Sequence, residues 1–398
     1  MINDVATGIP QEPTRTRKQT YQTAGLIVGA IVLIVLGNLF PSFGSVIKNL
    51  TQVVGLCVLL KFMFLDRFVF RLALSHQRQG RYERSIKEYA WACRLMPNTP
   101  VIYYNRGLAY NSLRQYPQAI ADFDKLIALD ANYPGGYYIR ALAYFNQDDF
   151  ERAIADLEYA IQAMPDDPRA YVLRGFIRYL KEAYIEALAD YDKALALDPQ
   201  VANVYCKIGQ VHAAQGDYEK AISDYNKTIS HNPNYADAYI LRGRAFREHG
   251  DYDHAIIDFD KGIALEPTDD TIYHDRANAY YLKEDYDRAI SDYDSSITLY
   301  PSSPEAYADR GLAYAAKDDY RQAVADYSHT IELGFKDARV FYCQGIAKSK
   351  MGDSDDSIAD LEKSLELGLA GDLKQEALSL LENLRNEKRT SRLESRSG

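Results

Sequence analysis

Three stretches of this chain read almost alike: AIADFDKLIALD over Ala119–Asp130, ALADYDKALALDP over Ala187–Pro199, and AIIDFDKGIALEP over Ala255–Pro267. Successive copies stand 68 residues apart, which is two periods of 34. Working outward, the 34-residue phase holds without insertion from Asp66 to about Gly371, and the nine repeats begin at Asp66, Pro100, Pro134, Pro168, Ala202, Ala236, Asp270, Pro304 and Ala338. Position 8 of each repeat is small (Ala73, Gly107, Ala141, Gly175, Gly209, Gly243, Ala277, Gly311, Gly345), and position 20 is Ala or Ser throughout. Position 4 is Tyr in seven repeats, position 24 is Tyr, Phe or Leu in all, and position 32 is Pro in six. Each choice has a mechanical reason. Two antiparallel helices approach closely only where side chains are small, and large side chains fill the space on either side of that contact. Proline just past a helix stops it. One such hairpin cannot bury its apolar faces alone, so stacking must supply the core.

The pattern resembles the tetratricopeptide-repeat (TPR) family, whose motif has an aromatic at 4, small residues at 8 and 20, an aromatic at 24 and proline at 32. The resemblance covers 66–371 and implies an all-α fold, a right-handed superhelix of nine helix–turn–helix repeats whose first helices line a concave face. It also implies binding of proteins or peptides and no enzymatic activity, cofactor or metal. The end repeats depart from the motif: Val69 stands at position 4 of the first, Ser354, Ser357 and Leu369 in the ninth. End repeats of an array are expected to be atypical.

Both flanks differ from the repeats. Residues 1–20 form a polar tail. Tyr21–Phe40 carries no charge, Pro41, Ser42, Gly44 and Ser45 supply breakers, and a second apolar run follows over Val46–Leu65, interrupted by Lys48 and Lys61. About 20 apolar residues match a bilayer's hydrocarbon thickness, so 21–40 and 46–65 are expected to form a transmembrane hairpin. The second run also reads as an interfacial or soluble helix, and residues 1–44 as a cleaved signal segment. Arg15, Arg17 and Lys18 precede the first run, and Arg67, Arg71, Arg78 and Arg81 follow the second. Such charge places both ends, and the repeats, in the cytoplasm at an integral-membrane location (the inner membrane if bacterial), with lipid contact through the hairpin. No Pro or Gly occurs between Leu56 and Gln79, which predicts one helix running from the second span into the first repeat; a break at Asp66, a good N-cap, is the alternative. Past the repeats, Leu373, Ala377, Leu380, Leu381 and Leu384 share a helical face and predict a capping helix over 372–386. The polar remainder, 387–398, is expected to be disordered.

Charge narrows the function. Residues 1–81 carry +6 and the remainder −16 in a chain of 398 residues and net charge −10. An acidic body lacks the clustered Lys/Arg that nucleic-acid binding needs. Cys57, Cys93, Cys206 and Cys343 show no CxxC spacing and read as buried apolar residues of a reducing compartment. The seven histidines show no metal-ligand spacing, and no P-loop, GxGxxG, HExxH or GxSxG occurs. Of the 33 tyrosines, 23 fall at positions 4, 11, 17 and 24, where they are expected to pack.

Two further columns stand out. Position 7 is Arg in six repeats (Arg106, Arg140, Arg174, Arg242, Arg276, Arg310), and position 23 is acidic in all nine, with Asp122, Asp156, Asp190, Asp258, Asp292 and Asp326 in those six. In an antiparallel hairpin facing positions have a near-constant sum, which sets Arg 7 level with Asp 23. The columns read as partly buried ion pairs, within a repeat or to the preceding repeat's position 23, or as two solvated stripes. Ile208 breaks the arginine column in repeat five. The resemblance also implies that positions 2, 5, 9, 12 and 13 point into the groove. These hold Tyr104, Leu108, Tyr138, Leu142, Phe145, Phe176 and Tyr179 in repeats two to four, and Arg244 and Arg247 in repeat six. They are a docking strip for a peptide or helix, or they pack against neighbouring helices. The family's clamp for chaperone tails needs Lys at 5 and Asn at 9; no Lys stands at 5 and only Asn278 at 9. Three functions remain: a membrane-anchored scaffold gathering partners, an assembly factor forming homo-oligomers, or an accessory subunit of an enzyme. Oligomeric state is left open.

Overall fold

The computed structural model describes residues 66–133, 135–199 and 202–397, with nineteen helices and no strand among them. The chain divides into two compact units, 1–199 and 200–398. Unit one holds four hairpins: α1 (Asp66–Arg78) with α2 (Tyr82–Leu95), α3 (Pro100–Ser112) with α4 (Tyr116–Leu129), α5 (Gly136–Phe145) with α6 (Phe150–Ala163), and α7 (Pro168–Leu180) with α8 (Tyr184–Leu197). Unit two holds five: α9 (Ala202–Ala214) with α10 (Tyr218–His231), α11 (Ala236–Glu248) with α12 (Tyr252–Leu265), α13 (Asp270–Leu282) with α14 (Tyr286–Leu299), α15 (Pro304–Ala316) with α16 (Tyr320–Glu332), and α17 (Ala338–Lys350) with α18 (Ser354–Glu366). The last helix, α19, spans Gly371–Ser397. Within each unit, the second helix of one hairpin packs on the first helix of the next.

The small residues at position 8 are fitted to the large ones at position 24. A Cβ added at Gly107 would stand 2.4 Å from Phe123 Cε1, and one at Gly243 2.8 Å from Phe259 Cε1. Ala119, Ala153, Ala187, Ala221, Ala255, Ala289 and Ala323 at position 20 are all fully buried. The turn between paired helices has a fixed form. Position 15 takes the left-handed conformation in all nine repeats, as Gly80, Gly216, Gly250 and Gly352 and as Arg114, Asp148, Glu182, Glu284 and Asp318. In repeat three the Asp149 amide donates to Tyr144 O and that of Asp148 to Phe145 O, the paired bonds of a Schellman ending. Position 16 then caps the second helix: the Asp149, Asp217, Asp251, Asp285 and Asp319 carboxylates each accept the N–H three residues on.

The expected tail over 1–20, the hairpin of 21–40 and 46–65, and the junction into the first repeat lie outside the described residues. Among the described residues no helix is long and apolar enough to cross a membrane. The repeat helices run 10 to 14 residues, about 15–21 Å at 1.5 Å per residue against a ~30 Å hydrocarbon core. The longest, α19, is rich in charge. The integral-membrane, cytoplasmic-face location expected from the flanking charge is corrected accordingly: no described helix supplies the span on which it rests. A second correction concerns the C-terminus. Residues 387–398 were expected to be a disordered tail, yet α19 continues through them to Ser397. No Pro or Gly interrupts the stretch before Gly398, and Lys, Arg, Glu and Leu are all good helix formers. Ala377, Leu381 and Leu384 of this helix are buried with Tyr342, Leu361 and Leu369 of the ninth repeat.

Candidate protein-docking face

An ion-pair ladder runs through the hairpins. Arg106 Nε donates to Asp122 at 2.7 Å and its Nη2 at 2.6 Å. The same two-pronged bond joins Arg140 to Asp156, Arg174 to Asp190, Arg242 to Asp258, Arg276 to Asp292 and Arg310 to Asp326, all at 2.6–3.0 Å. The six aspartates are buried. Burial pushes the Asp122 and Asp258 carboxyls above their ordinary value, outweighing the arginines beside them. Hydrogen bonding to Asp122 raises Arg106 despite its own burial. Each guanidinium also lies 5.3–5.8 Å from the centre of its repeat's position-4 tyrosine.

Four of the six arginines have a third contact, and it comes from position 25 of the preceding repeat rather than position 23. Arg140 Nη1 donates to Asp124 at 2.7 Å, Arg276 Nη1 to Asp260 and Arg310 Nη1 to Asp294 at 2.5 Å. Arg242 Nη1 meets Asn226 in the same way. Each such arginine therefore joins its own hairpin to the one before it. Where position 7 is not arginine, a cation arrives from position 11, one helical turn on. His76 Nδ1 lies 2.9 Å from Glu88, His212 Nδ1 2.8 Å from Asp224, and Lys348 Nζ 2.7 Å from Asp360. Repeat four uses both, with Arg178 Nη1 also 2.7 Å from Asp190. The sequence signal for His76 and His212 is the absence of Arg at position 7 of the same repeats, which hold Leu72 and Ile208 there.

In unit one, aromatic residues of the first helices α5 and α7 and of the starts of the second helices α6 and α8 form a connected series. Phe150, Phe145, Phe176, Tyr179 and Tyr184 stand in that order, with ring centres 5.7–6.2 Å apart. Tyr104 lies 5.5 Å from Tyr133. Tyr104, Leu108, Leu142, Phe145, Phe176 and Tyr179 are half-buried; Tyr138 is buried, with Arg169 over its ring at 5.3 Å. Tyr138 therefore belongs to the core more than to any open strip. Asn146 Nδ2 lies 3.4 Å from Asn111 Oδ1 on the neighbouring first helix.

The corresponding face of unit two is polar and internally paired. Arg244 Nε donates to Asp275 at 2.6 Å and Arg247 Nη1 donates to its other oxygen at 2.9 Å. Asp275 is buried, so these two arginines hold α11 to α13. Beyond them His274 Nε2 lies 2.9 Å from Asp309, and Tyr293 Oη donates to Asn278 at 2.6 Å. Asp275, His274 and Asp309 were not singled out from the sequence, because positions 5 and 6 carry no repeating residue type. Among the described residues no group of three or more His, Cys, Asp or Glu could hold a metal ion.

Tetratricopeptide-repeat models match residues 100–133, 134–167 and 206–270, and a TPR-repeat model matches 77–113, 177–216 and 277–318. No curated protein matches the chain. Among solved structures, a tetratricopeptide repeat protein from Parabacteroides merdae is 21% identical over 62% of this chain and 97% of its own, with a TM-score of 0.49. YrrB, described as a TPR protein with an unusual peptide-binding site, is 23% identical over 49% of this chain and 97% of its own, TM-score 0.40. The APC/C hetero-tetramer Cut9–Hcn1 is 14% identical over 84% and 92%, TM-score 0.47. On the repeat matches, which together span more than half of its residues, this chain belongs to the tetratricopeptide-repeat family.

Proposed function

We propose that the chain is a protein-binding scaffold, and that the first helices of unit one dock an apolar segment of a partner protein. Tetratricopeptide-repeat proteins are generally non-enzymatic scaffolds that bind proteins or peptides, and no catalytic family matches this chain. The observation that carries the reading is the half-buried aromatic series Phe145, Phe176 and Tyr179. Core aromatics of this chain, such as Phe123, Tyr191 and Phe259, are almost fully buried. The series instead keeps ring surface open on two consecutive repeats, the third and fourth, which suits an amphipathic helix or an extended apolar peptide. The polar face of unit two spends its charges on its own pairs and is the weaker candidate.

Selection of a random peptide library on the full chain tests this. Selected peptides are expected to be rich in Leu, Ile and aromatic residues. Phe176→Ser with Tyr179→Ser is expected to weaken their binding at least about tenfold, since buried aromatic anchors dominate such interfaces. Unchanged affinity in that variant, with its helical content intact, would remove unit one's face as the docking site.

A further inference from the structure

The second helix of repeat one, α2, differs from its eight counterparts on its exposed side. Position 22 is uncharged in every other repeat, mostly Ala or Ser, and position 29 carries no cation in any of them. Repeat one places Lys87 and Arg94 there. With Arg84 at position 19 and Trp91 at position 26 they follow one another at intervals of three, four and three residues, which makes a single stripe along a helix. All four side chains are exposed, Trp91 by 57%. Among the described residues no carboxylate pairs with Arg84, Lys87 or Arg94. Lysines at the hairpin turns do find one: Lys181 meets Glu151, Lys283 meets Asp253 and Lys317 meets Asp287. Glu88, on α2 itself, is engaged by His76 at 2.9 Å. Repeat one, residues 66–99, carries +4, whereas residues 100–398 carry −17.

We infer that this stripe docks an acidic segment of a partner protein, with an apolar side chain of that segment seated on Trp91. Charge complementarity selects the occupant. An acidic segment is attracted to the unpaired cations of repeat one and repelled by the acidic remainder of the array, so the charge distribution steers it to one place. The stripe is about 15 Å long at 1.5 Å per residue, the reach of a short peptide. One indole among three cations suits acids that flank an apolar residue, and Trp and Arg are the side chains that most often anchor such contacts. The stripe shares no residue with the aromatic series of repeats three and four, and the two surfaces are tested separately.

Trp91 is the chain's single tryptophan, so its fluorescence reads the stripe directly. The probe is a synthetic peptide of eight glutamates with two leucines at its centre, titrated into the full chain at low ionic strength. Trp91 emission is expected to move to shorter wavelength as the ring leaves water. Affinity should fall at least about tenfold between about 0.02 and 0.3 M salt, as screening weakens exposed charges. Arg84→Glu with Lys87→Glu should weaken binding at least about tenfold. Trp91→Ala should do the same when binding is followed by the anisotropy of a fluorescein label on the peptide. Phe176→Ser with Tyr179→Ser should leave it unchanged. The side chains replaced on α2 are exposed, so the hairpin is able to fold, and helical content by circular dichroism verifies it. Several results would overturn the proposal: no response of Trp91 to the peptide, equal affinity for a peptide with lysine in place of glutamate, or unchanged binding in Arg84→Glu with Lys87→Glu. A response to phosphatidylserine vesicles, or to the chain's own concentration, without one to the peptide would also overturn it, assigning the stripe to lipid or to a second copy.

Discussion

Two tyrosines at position 24 show how much one atom's surroundings matter. Tyr191 and Tyr293 are equally buried, at 0% and 1% exposure. Tyr293 Oη donates to Asn278, whereas Tyr191 Oη has no hydrogen-bond partner. Burying a hydroxyl without a partner costs free energy, and removing one that is satisfied loses its bond. Tyr191→Phe is therefore expected to leave stability unchanged or raise it by up to about 1 kcal/mol, and Tyr293→Phe to lower it by about 1 kcal/mol. Urea denaturation midpoints of the two variants check this; a loss in both would show that the Tyr191 hydroxyl is satisfied after all. The repeat itself samples the outcome, since Phe123 and Phe259 fill the same position. The sequence showed that position 24 is core. It held no sign of which hydroxyl finds a partner, because Asn278 sits at a position that is variable between repeats.

At the scale of helices, two sets of carboxylates respond to acid in opposite senses. The rung carboxyls Asp122 and Asp258 sit above the ordinary value of 3.8 because they are buried. Their protonated form is favoured by the fold, so the stability they contribute is full below 3.8 and is lost as pH rises through their folded values. The helix-capping carboxylates Asp285 and Asp337 are held below 3.8, chiefly by side-chain hydrogen bonds from Arg288 and Arg339. Their contribution is present above 3.8 and is lost as pH falls through their depressed values. Acid unfolding is therefore expected to run through the caps. Asp337→Asn should flatten the fall of the urea midpoint below about pH 3.8, and Asp258→Asn should not. The reverse ranking would mean that the rungs, held by their arginines, behave as ordinary paired carboxylates. Caps were partly legible beforehand, since Asp recurs at position 16. The left-handed residue before each cap was not, because five of the nine are not glycine.

For the molecule as a whole, neighbouring hairpins supply one another's core, so damage should stay near where it is made. Leu381 is 3% exposed and lies against the ninth hairpin. Leu381→Ala is expected to cost about 3 kcal/mol. Exchange of amides in α17 and α18 should quicken, while α3 to α6 in the other unit stay as they were. Uniform quickening along the chain would show one cooperative block instead. The sequence by itself determined the helical class, the 34-residue period, the hairpin boundaries and the family, because close helix contact restricts residue type at fixed positions and repetition multiplies the signal. It also put Arg 7 level with Asp 23. Tertiary structure alone decided that Arg 7 also reaches position 25 of the repeat before, that His76, His212 and Lys348 stand in where arginine is missing, and that Arg244 and Arg247 close on Asp275. The contacts to position 25 and to Asp275 join different hairpins, so they follow from how one hairpin rotates on the next, which no local pattern encodes; the position-11 cations act within their own hairpin, where the reach of the side chain decides.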